Sequence, residues 1–271
     1  MKVSLICTVK NEEENISSFL KSIVVQSSKP LEFIVVDGGS KDKTLLILKK
    51  FSKRFKWIKA YQKIGNISEG RNFAIKKSKN QIIAVCDAGG QYSKNWLQNL
   101  VRGFNGQVSF GMDSPLIKND FQKVLAKTLL HNGVAGSSRN MIFLKKIWEE
   151  VGGYPEDLMI GEDTLFDERI KNAGYKISRI PDAICYWEMR KDYLSFKRQF
   201  YRYGYWDGVA YKKYGILPIK HKLSIIATSF LLLFFPIFYF LSLFSLKLKI
   251  KSAKRFYYLK GFLRGFFRLK E

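Results

Sequence analysis

An α/β fold built on a mostly parallel central sheet is the architecture this chain predicts, and three observations carry it. Two short, β-branched runs, Glu32-Phe33-Ile34-Val35-Val36-Asp37 and Ile82-Ile83-Ala84-Val85-Cys86-Asp87, are nearly unbroken apolar stretches that each close on an aspartate. Such runs mark strands buried on both faces. Between them lie segments with apolar residues at helical spacing, so strand and helix alternate as in crossover units. The third observation is a stretch of 24 residues without a charge, Leu223 to Leu246, followed by a basic tail.

Val3–Val9 reads as the first strand. Ile16, Phe19, Leu20, Ile23 and Val24 recur at helical spacing, with Glu12, Glu13 and Glu14 expected in the first turn, where the helix dipole favours acids. Gly38-Gly39-Ser40 after the second strand turns into a helix reaching about Lys53. A short strand near Trp57–Tyr61 and a helix opened by Ser68 lead to the strand that ends at Asp87. No G-x-G-x-x-G follows the first strand, so a dinucleotide-binding fold is not indicated. Further on, the pattern predicts helices over Asn119–Leu130, Lys145–Val151 and Glu162–Ala173, the last stopped by Gly174. It also predicts strands over Asn140–Leu144, Tyr175–Ile180 and Ala183–Tyr186. No pattern is legible over Gly103–Asp120.

Composition narrows the class. With 271 residues and 46% hydrophobic side chains, the chain can bury a full core. Cys7, Cys86 and Cys185 lie in apolar runs without a C-x-x-C pair, and two histidines are too few for a zinc site. No cleavable leader is visible, so the first domain is expected to fold in the cytosol. The net charge is +24, and residues 247–271 hold nine Lys/Arg among aromatic residues, the composition of an interfacial helix on anionic lipid. The 24 charge-free residues exceed the roughly 20 that cross a bilayer as a helix. Lysines flank both ends and Pro236 stands near the middle, so a single span and a re-entrant hairpin are both open. The expected organisation is a catalytic domain over residues 1–190, an aromatic and basic juxtamembrane region over 191–222, the membrane segment 223–246 and the amphipathic tail 247–271.

Acids at strand ends, where open α/β sheets collect ligands, suit a ligand that brings a cation or many donors. Nucleic acid is disfavoured, because such acids repel a polyanion. The ordered set Val3-Ser-Leu-Ile-Cys-Thr8-Val-Lys-Asn11-Glu12-Glu13, Val35-Val-Asp37-Gly-Gly-Ser40-Lys-Asp-Lys-Thr44, Gly65-Asn-Ile-Ser-Glu-Gly-Arg71-Asn72, Asp87-Ala-Gly89 and Gly161-Glu162-Asp163 resembles the family 2 glycosyltransferases. The resemblance spans the chain from the first strand to about Tyr205. It implies the GT-A nucleotide-diphospho-sugar transferase fold and sugar transfer with inversion from a nucleotide-diphosphate sugar.

The resemblance also implies roles. Thr8, Glu12 and Asp37 would contact base or ribose, Arg71 the diphosphate, and Asp87 an Mg²⁺ or Mn²⁺ ion on that diphosphate. Gly89 replaces the second acid of the family's Asp-x-Asp, so metal-independent use of Asp87 as a ribose or sugar ligand stands beside the metal reading. Asp163 of the Glu162-Asp163 pair matches the catalytic base. Gln199, Arg202 and Tyr203 resemble a Gln-x-x-Arg-Trp element with Tyr for Trp, and Arg139 would line the acceptor side. Each has a plainer alternative: Glu12 as a helix-start acid, Asp37 as a turn residue before Gly-Gly, Arg71 on a solvated surface, Glu162-Asp163 as a helix cap, and 199–203 as interface anchors. The expectation is a membrane-associated enzyme with a lipid-linked or glycan acceptor at the cytosolic face and membrane lipid held through 223–271. The alternatives are a polyprenyl-phosphate sugar synthase and, from another class, a non-catalytic basic protein of membrane surfaces or nucleic acid.

Overall fold

The computed structural model describes residues 2–130, 137–231 and 245–268. They group into two compact units, the first comprising Met1–Pro115, Gly133–Met159 and Arg169–Glu188, the second Leu116–Asn132, Ile160–Glu168 and Met189–Glu271.

The first unit contains an eight-stranded sheet. Its strands are β1 (Val3–Val9), β2 (Glu32–Asp37), β3 (Ile58–Gln62), β4 (Ile82–Cys86), β5 (Gly90–Tyr92), β6 (Val108–Leu116), β7 (Asn140–Leu144) and β8 (Ile177–Glu188), in spatial order β3-β2-β1-β4-β7-β6-β8-β5. Pairing is parallel from β3 through β2 and β1 to β4, with Val9 opposite Asp37. The sheet then reverses: β7 runs antiparallel to both β4 and β6, and β5 antiparallel to β8. The mostly parallel sheet expected from the sequence is therefore a mixed one. Apolar runs report burial on both faces, and β7 is as buried as β1, but neither signal carries strand direction. The two expected strands around Pro181 are one, β8. Its β5 register covers only Cys185–Trp187, so the missing proline N–H lies outside that ladder.

Helices α1 (Ile16–Val24), α2 (Thr44–Arg54) and α3 (Ile67–Lys77) connect the parallel strands, and α4 (Trp96–Arg102) precedes β6. Ile16, Phe19, Leu20 and Ile23 of α1 bury one helix face in a core shared with Leu5, Phe33 and Trp96. Glu12–Glu14 precede α1 rather than entering its first turn. Asn11 takes a positive φ of 54°, and the Glu12 carbonyl accepts from the N–H groups of Asn15 and Ile16. These residues instead lace the β1–α1 loop to the β2–α2 loop. Asn11 N–H donates to Ser40 Oγ (2.9 Å), Glu12 N–H to Thr44 Oγ1 (2.7 Å) and Glu13 N–H to Asp42 Oδ2 (3.1 Å). The carboxyl ends of β1 and β2 thereby share one rigid rim.

The second unit includes α5 (Asp120–Leu129), the first turns of α7 (Glu162–Asn172), α8 (Tyr193–Tyr214), α9 (Ile219–Leu231) and α10 (Leu246–Phe266); the short α6 (Lys145–Glu150) belongs to the first unit. Asp192 caps α8 by accepting from Ser195 N–H (2.7 Å). Gly204 and Gly208 of α8 face Gly261 and Gly265 of α10. A Cβ at Gly204 would lie 1.9 Å from the Tyr258 carbonyl oxygen, and one at Gly265 1.9 Å from that of Tyr205. Two small-residue ridges thus bring the helix backbones into direct contact. Of the basic tail expected over 247–271, residues 247–266 belong to α10, which buries Ile250, Ala253, Tyr258, Leu259 and Phe262. Asp207 holds this arrangement from within, accepting from Tyr258 Oη and lying 2.9 Å from His221 Nδ1 of α9. Of the expected membrane segment, 223–231 belong to α9 and 232–244 lie outside the described residues. Among the described residues no helix is long and apolar enough to cross a membrane.

Candidate active site

The strand end of β4 is where chemistry concentrates in the first unit. Asp87 follows β4 with its side chain 28% exposed, and its Oδ1 lies 3.0 Å from Arg71 Nη2. Arg71 is buried, its guanidinium also resting over the Tyr154 ring at 5.2 Å. Helix α3 delivers it. A capping box starts the helix, with Glu69 N–H donating to Asn66 Oδ1 (3.0 Å) and Asn66 N–H to Glu69 Oε2 (2.8 Å). Gly70 then lets α3 lie against β1, since a Cβ there would meet Thr8 Cγ2 at 2.4 Å. Thr8 Oγ1 is buried at that contact with no hydrogen-bond partner among the described residues. A buried hydroxyl in this state costs free energy until a ligand or water meets it.

Asp37 behaves differently. Its carboxylate is fully buried and accepts from Gly39 N–H and Ser40 N–H (both 3.1 Å), from Ser40 Oγ and from Gln62 Nε2 (3.3 Å). The turn residue reading is the one the geometry displays. Glu12 lies at the rim, half-buried; burial pushes its pKa up, Asn15 opposes this, and the charges of Asp42 and Asp87 add to the rise.

A second guanidinium reaches the same strand end. Tyr92 Oη accepts from Asp87 N–H (2.8 Å) and donates to the Arg139 carbonyl (2.9 Å), tying the two segments together. The Arg139 side chain is held on two sides. Its Nε donates to Ser137 Oγ (2.9 Å) and lies 3.4 Å from Asp113 Oδ2, while its guanidinium sits 5.1 Å from the Trp187 ring centroid. Burial disfavours the charged form of Arg139, but Asp113 and then Asp87 outweigh it and raise the pKa. Asp113 is buried and pushed up to about 6 by that burial, against the pull of Arg139, Asn140 and Ser137. Asn140 fixes the floor, accepting from Trp96 Nε1 (2.7 Å) and donating to the carbonyls of Met112 (3.2 Å) and Ala183 (3.0 Å). Asp113 and Tyr92 were not legible as site residues: Asp113 stands in the patternless Gly103–Asp120 stretch, and Tyr92 on a three-residue strand.

Position 89, where a second acid would complete Asp-x-Asp, is Gly89, with open space around a built Cβ. The strand end thus presents one carboxylate, ion-paired with Arg71, and beside it a second guanidinium, Arg139, paired at Nε with Asp113 of β6. Paired carboxylates for an Mg²⁺ or Mn²⁺ ion are not present there, and among the described residues no three His, Cys, Asp or Glu side chains gather as a metal-holding group. The residues fit an anion better than a chelated cation.

The structure places Thr8, Glu12, Asp37, Arg71, Asp87 and Arg139 in the first unit, and Glu162, Asp163, Gln199, Arg202 and Tyr203 in the second. Glu162 is buried at the start of α7, and Asp163, the next residue of that first turn, accepts at Oδ1 from the neighbouring Thr164 N–H (2.8 Å). On α8, Gln199 Nε2 donates to Tyr203 Oη (2.6 Å), and Arg202 is exposed.

The family profile described as "Glycosyl transferase family 2" matches residues 4–151, and a second, "Glycosyl transferase family group 2", matches 97–260. Among curated proteins, "Glycosyltransferase AglE" of Haloferax volcanii is 27% identical over 216 residues, covering 73% of this chain and 70% of its own. "Probable glycosyltransferase YdaM" of Bacillus subtilis is 29% identical over 70% of this chain, which spans 51% of that protein. "Poly(ribitol-phosphate) beta-N-acetylglucosaminyltransferase TarS" of Staphylococcus aureus is 25% identical over 71% of this chain, which spans 36% of TarS. Among solved structures, mannosyltransferase PcManGT from Pyrobaculum calidifontis in complex with GDP-Man and Mn²⁺ superposes with a TM-score of 0.70 at 17% identity, covering 98% of this chain and 87% of that one. TarS 1-349 in complex with UDP-GlcNAc gives 0.57 at 20%, covering 85% and 72%. These likenesses establish the GT-A-type fold.

Proposed function

The chain belongs to the family 2 glycosyltransferases, and from that premise we propose that it moves a sugar, with inversion, from a nucleotide-diphosphate sugar to a lipid-linked or glycan acceptor at the cytosolic membrane face. The observation that carries the donor site is the strand end of β4, where buried Arg71 holds Asp87 and the preceding Gly70 packs on Thr8, whose hydroxyl has no partner among the described residues. A nucleotide sugar supplies what this site lacks: hydroxyls for Asp87 and Thr8, and an anion for the guanidinium groups. Glu12 stands at the rim for ribose, and Asp37 serves by holding the turn beneath it.

Inverting transfer needs the acceptor oxygen to attack the anomeric carbon as the bond to the diphosphate breaks on the opposite face. Asp163 takes the acceptor's proton, with Glu162 at the same helix start, and Gln199, Arg202 and Tyr203 of α8 hold the acceptor. PcManGT is in complex with GDP-Man and Mn²⁺; a divalent ion here would have Asp87 as its one strand-end carboxylate and would offset the charge of the leaving diphosphate. Attachment to the membrane rests on the charge-free residues 223–246 and on the lysines and arginines of 247–271.

Asp163→Asn tests the assignment. Transfer to a hydroxyl acceptor should fall by about 10²–10⁴-fold, the usual worth of a positioned base, while affinity for the nucleoside diphosphate stays within about twofold. Turnover at the wild-type rate would remove Asp163 from that role.

A further inference from the structure

We propose that Arg139 is a ligand of the donor diphosphate and that, with Arg71, it supplies the positive charge a chelated divalent ion would otherwise bring, so that this protein binds nucleoside diphosphates without metal. The inference rests on the donor-site reading above and reassigns Arg139 from the acceptor side to the donor.

Four observations converge on it. Asp-x-Asp is broken at Gly89, so the strand end offers one carboxylate, and that carboxylate is ion-paired with Arg71. Arg139 is fixed before any ligand arrives: Ser137 and Asp113 engage Nε, and Trp187 backs the guanidinium plane. The hydrogen bond and ion pair of its side chain among the described residues are both made at Nε, which leaves the two terminal amino groups for a ligand, and the side chain is 30% exposed. Finally, Tyr92 bridges the Arg139 carbonyl to the Asp87 N–H, which fixes that fork to the β4 strand end. A preorganised guanidinium edge of this kind matches the oxygens of a phosphate group. During transfer, the bond from the anomeric carbon to the acceptor oxygen forms while its bond to the β-phosphate oxygen breaks. The electron pair stays on that phosphate oxygen, and the Arg139 and Arg71 charges offset it. The acceptor proton leaves to the base.

The test uses the full chain and measures the dissociation constants of UDP and of GDP by calorimetry, in EDTA and again in excess Mn²⁺. Wild type should bind one of them with constants that agree within about threefold in the two buffers. Arg139→Gln should weaken that binding about 10- to 100-fold, the size of a lost charge-assisted fork, and Arg139→Lys, which keeps a cation beside Asp113 if the glutamine variant folds poorly, should weaken it less. Gly89→Asp, filling open space at the strand end, should make binding Mn²⁺-dependent. Wild-type binding seen only with Mn²⁺ would overturn the inference and leave the donor site standing. Unchanged nucleotide affinity in Arg139→Gln with a raised acceptor KM would return Arg139 to the acceptor. If neither nucleotide binds in either buffer, the donor-site reading and this inference fall together.

Discussion

Asp37 and Asp87 close two strands that flank β1 on either side, both parallel to it, and the chain around them reads almost alike. Their carboxylates meet opposite fates. Asp37 is sealed, with two backbone N–H groups, a serine hydroxyl and the Gln62 amide around it. Asp87 is partly exposed and has one buried guanidinium for company. The difference lies in the residues that follow. Gly39 takes a φ of 88°, which folds the backbone so that its own N–H and that of Ser40 point back at Asp37, an Asx-type turn. After Asp87 the chain runs through Ala88 and Gly89 to a two-residue return, with Gly90 N–H donating to the Asp87 carbonyl, and its side chain is left facing out. A strand-end position makes an acid eligible for ligand work; the hydrogen-bonding demand of the next three residues decides whether it is available.

Paired substitutions would break that contrast most sharply. Asp37→Asn puts an amide donor into a carboxylate site where four donors already point, so it should lower stability by about 2–3 kcal/mol, near the cost of a buried unsatisfied group. Nucleoside diphosphate affinity of the folded fraction should hardly change. Asp87→Asn should instead reduce transfer about 100-fold with a smaller loss of stability, because its carboxylate is partly solvated. Denaturation midpoints and initial rates of both variants would settle the matter, and a crossed result, rate loss at 37 and instability at 87, would refute the division of labour. Ser40→Ala removes one of the bonds on Asp37 and the acceptor for Asn11 N–H together, and about 1 kcal/mol should be lost. No loss at all would mean that the turn, not its side chains, holds the rim.

Much of the fold was legible because β1 to β4 and their helices carry local signals: α1 buries Ile16, Phe19, Leu20 and Ile23 as spaced, and α3 opens at Ile67, beside the expected Ser68. What was not legible depends on pairing between distant segments. Arg71 looks the same in sequence whether it meets solvent or Asp87, 16 positions on, and only the packing of Gly70 on Thr8 decides. Asp113 escaped because its strand includes Gly111 and Pro115, which blur the pattern. Gly111 is there for Asn140: a Cβ would come within 2.2 Å of the amide that latches β6, β7 and β8. The antiparallel half of the sheet is set by such latches and by connections, so apolar runs alone could not orient it.

A third acid sharpens the comparison from the other end of the same strand. Glu32 opens β2, away from the carboxyl ends where ligands gather, and is nearly as buried as Asp37. Burial raises its pKa, but the Lys79 N–H (2.6 Å), Lys59 Nζ (2.9 Å) and Ser4 Oγ (2.7 Å) together outweigh this and leave it lowered. A lowered folded-state value means that its stabilising contribution is complete above the ordinary glutamate range and is lost as pH falls through the folded value. Glu32→Gln should therefore cost stability at pH 7, and the gap to wild type should hold steady to about pH 5 and narrow only below about pH 4. Denaturant titrations at pH 7, 5 and 3 would trace it. A gap that stays constant to pH 3 would show that Glu32 acts through its shape and neutral hydrogen bonds, and that charge is not what separates a structural strand acid from a functional one.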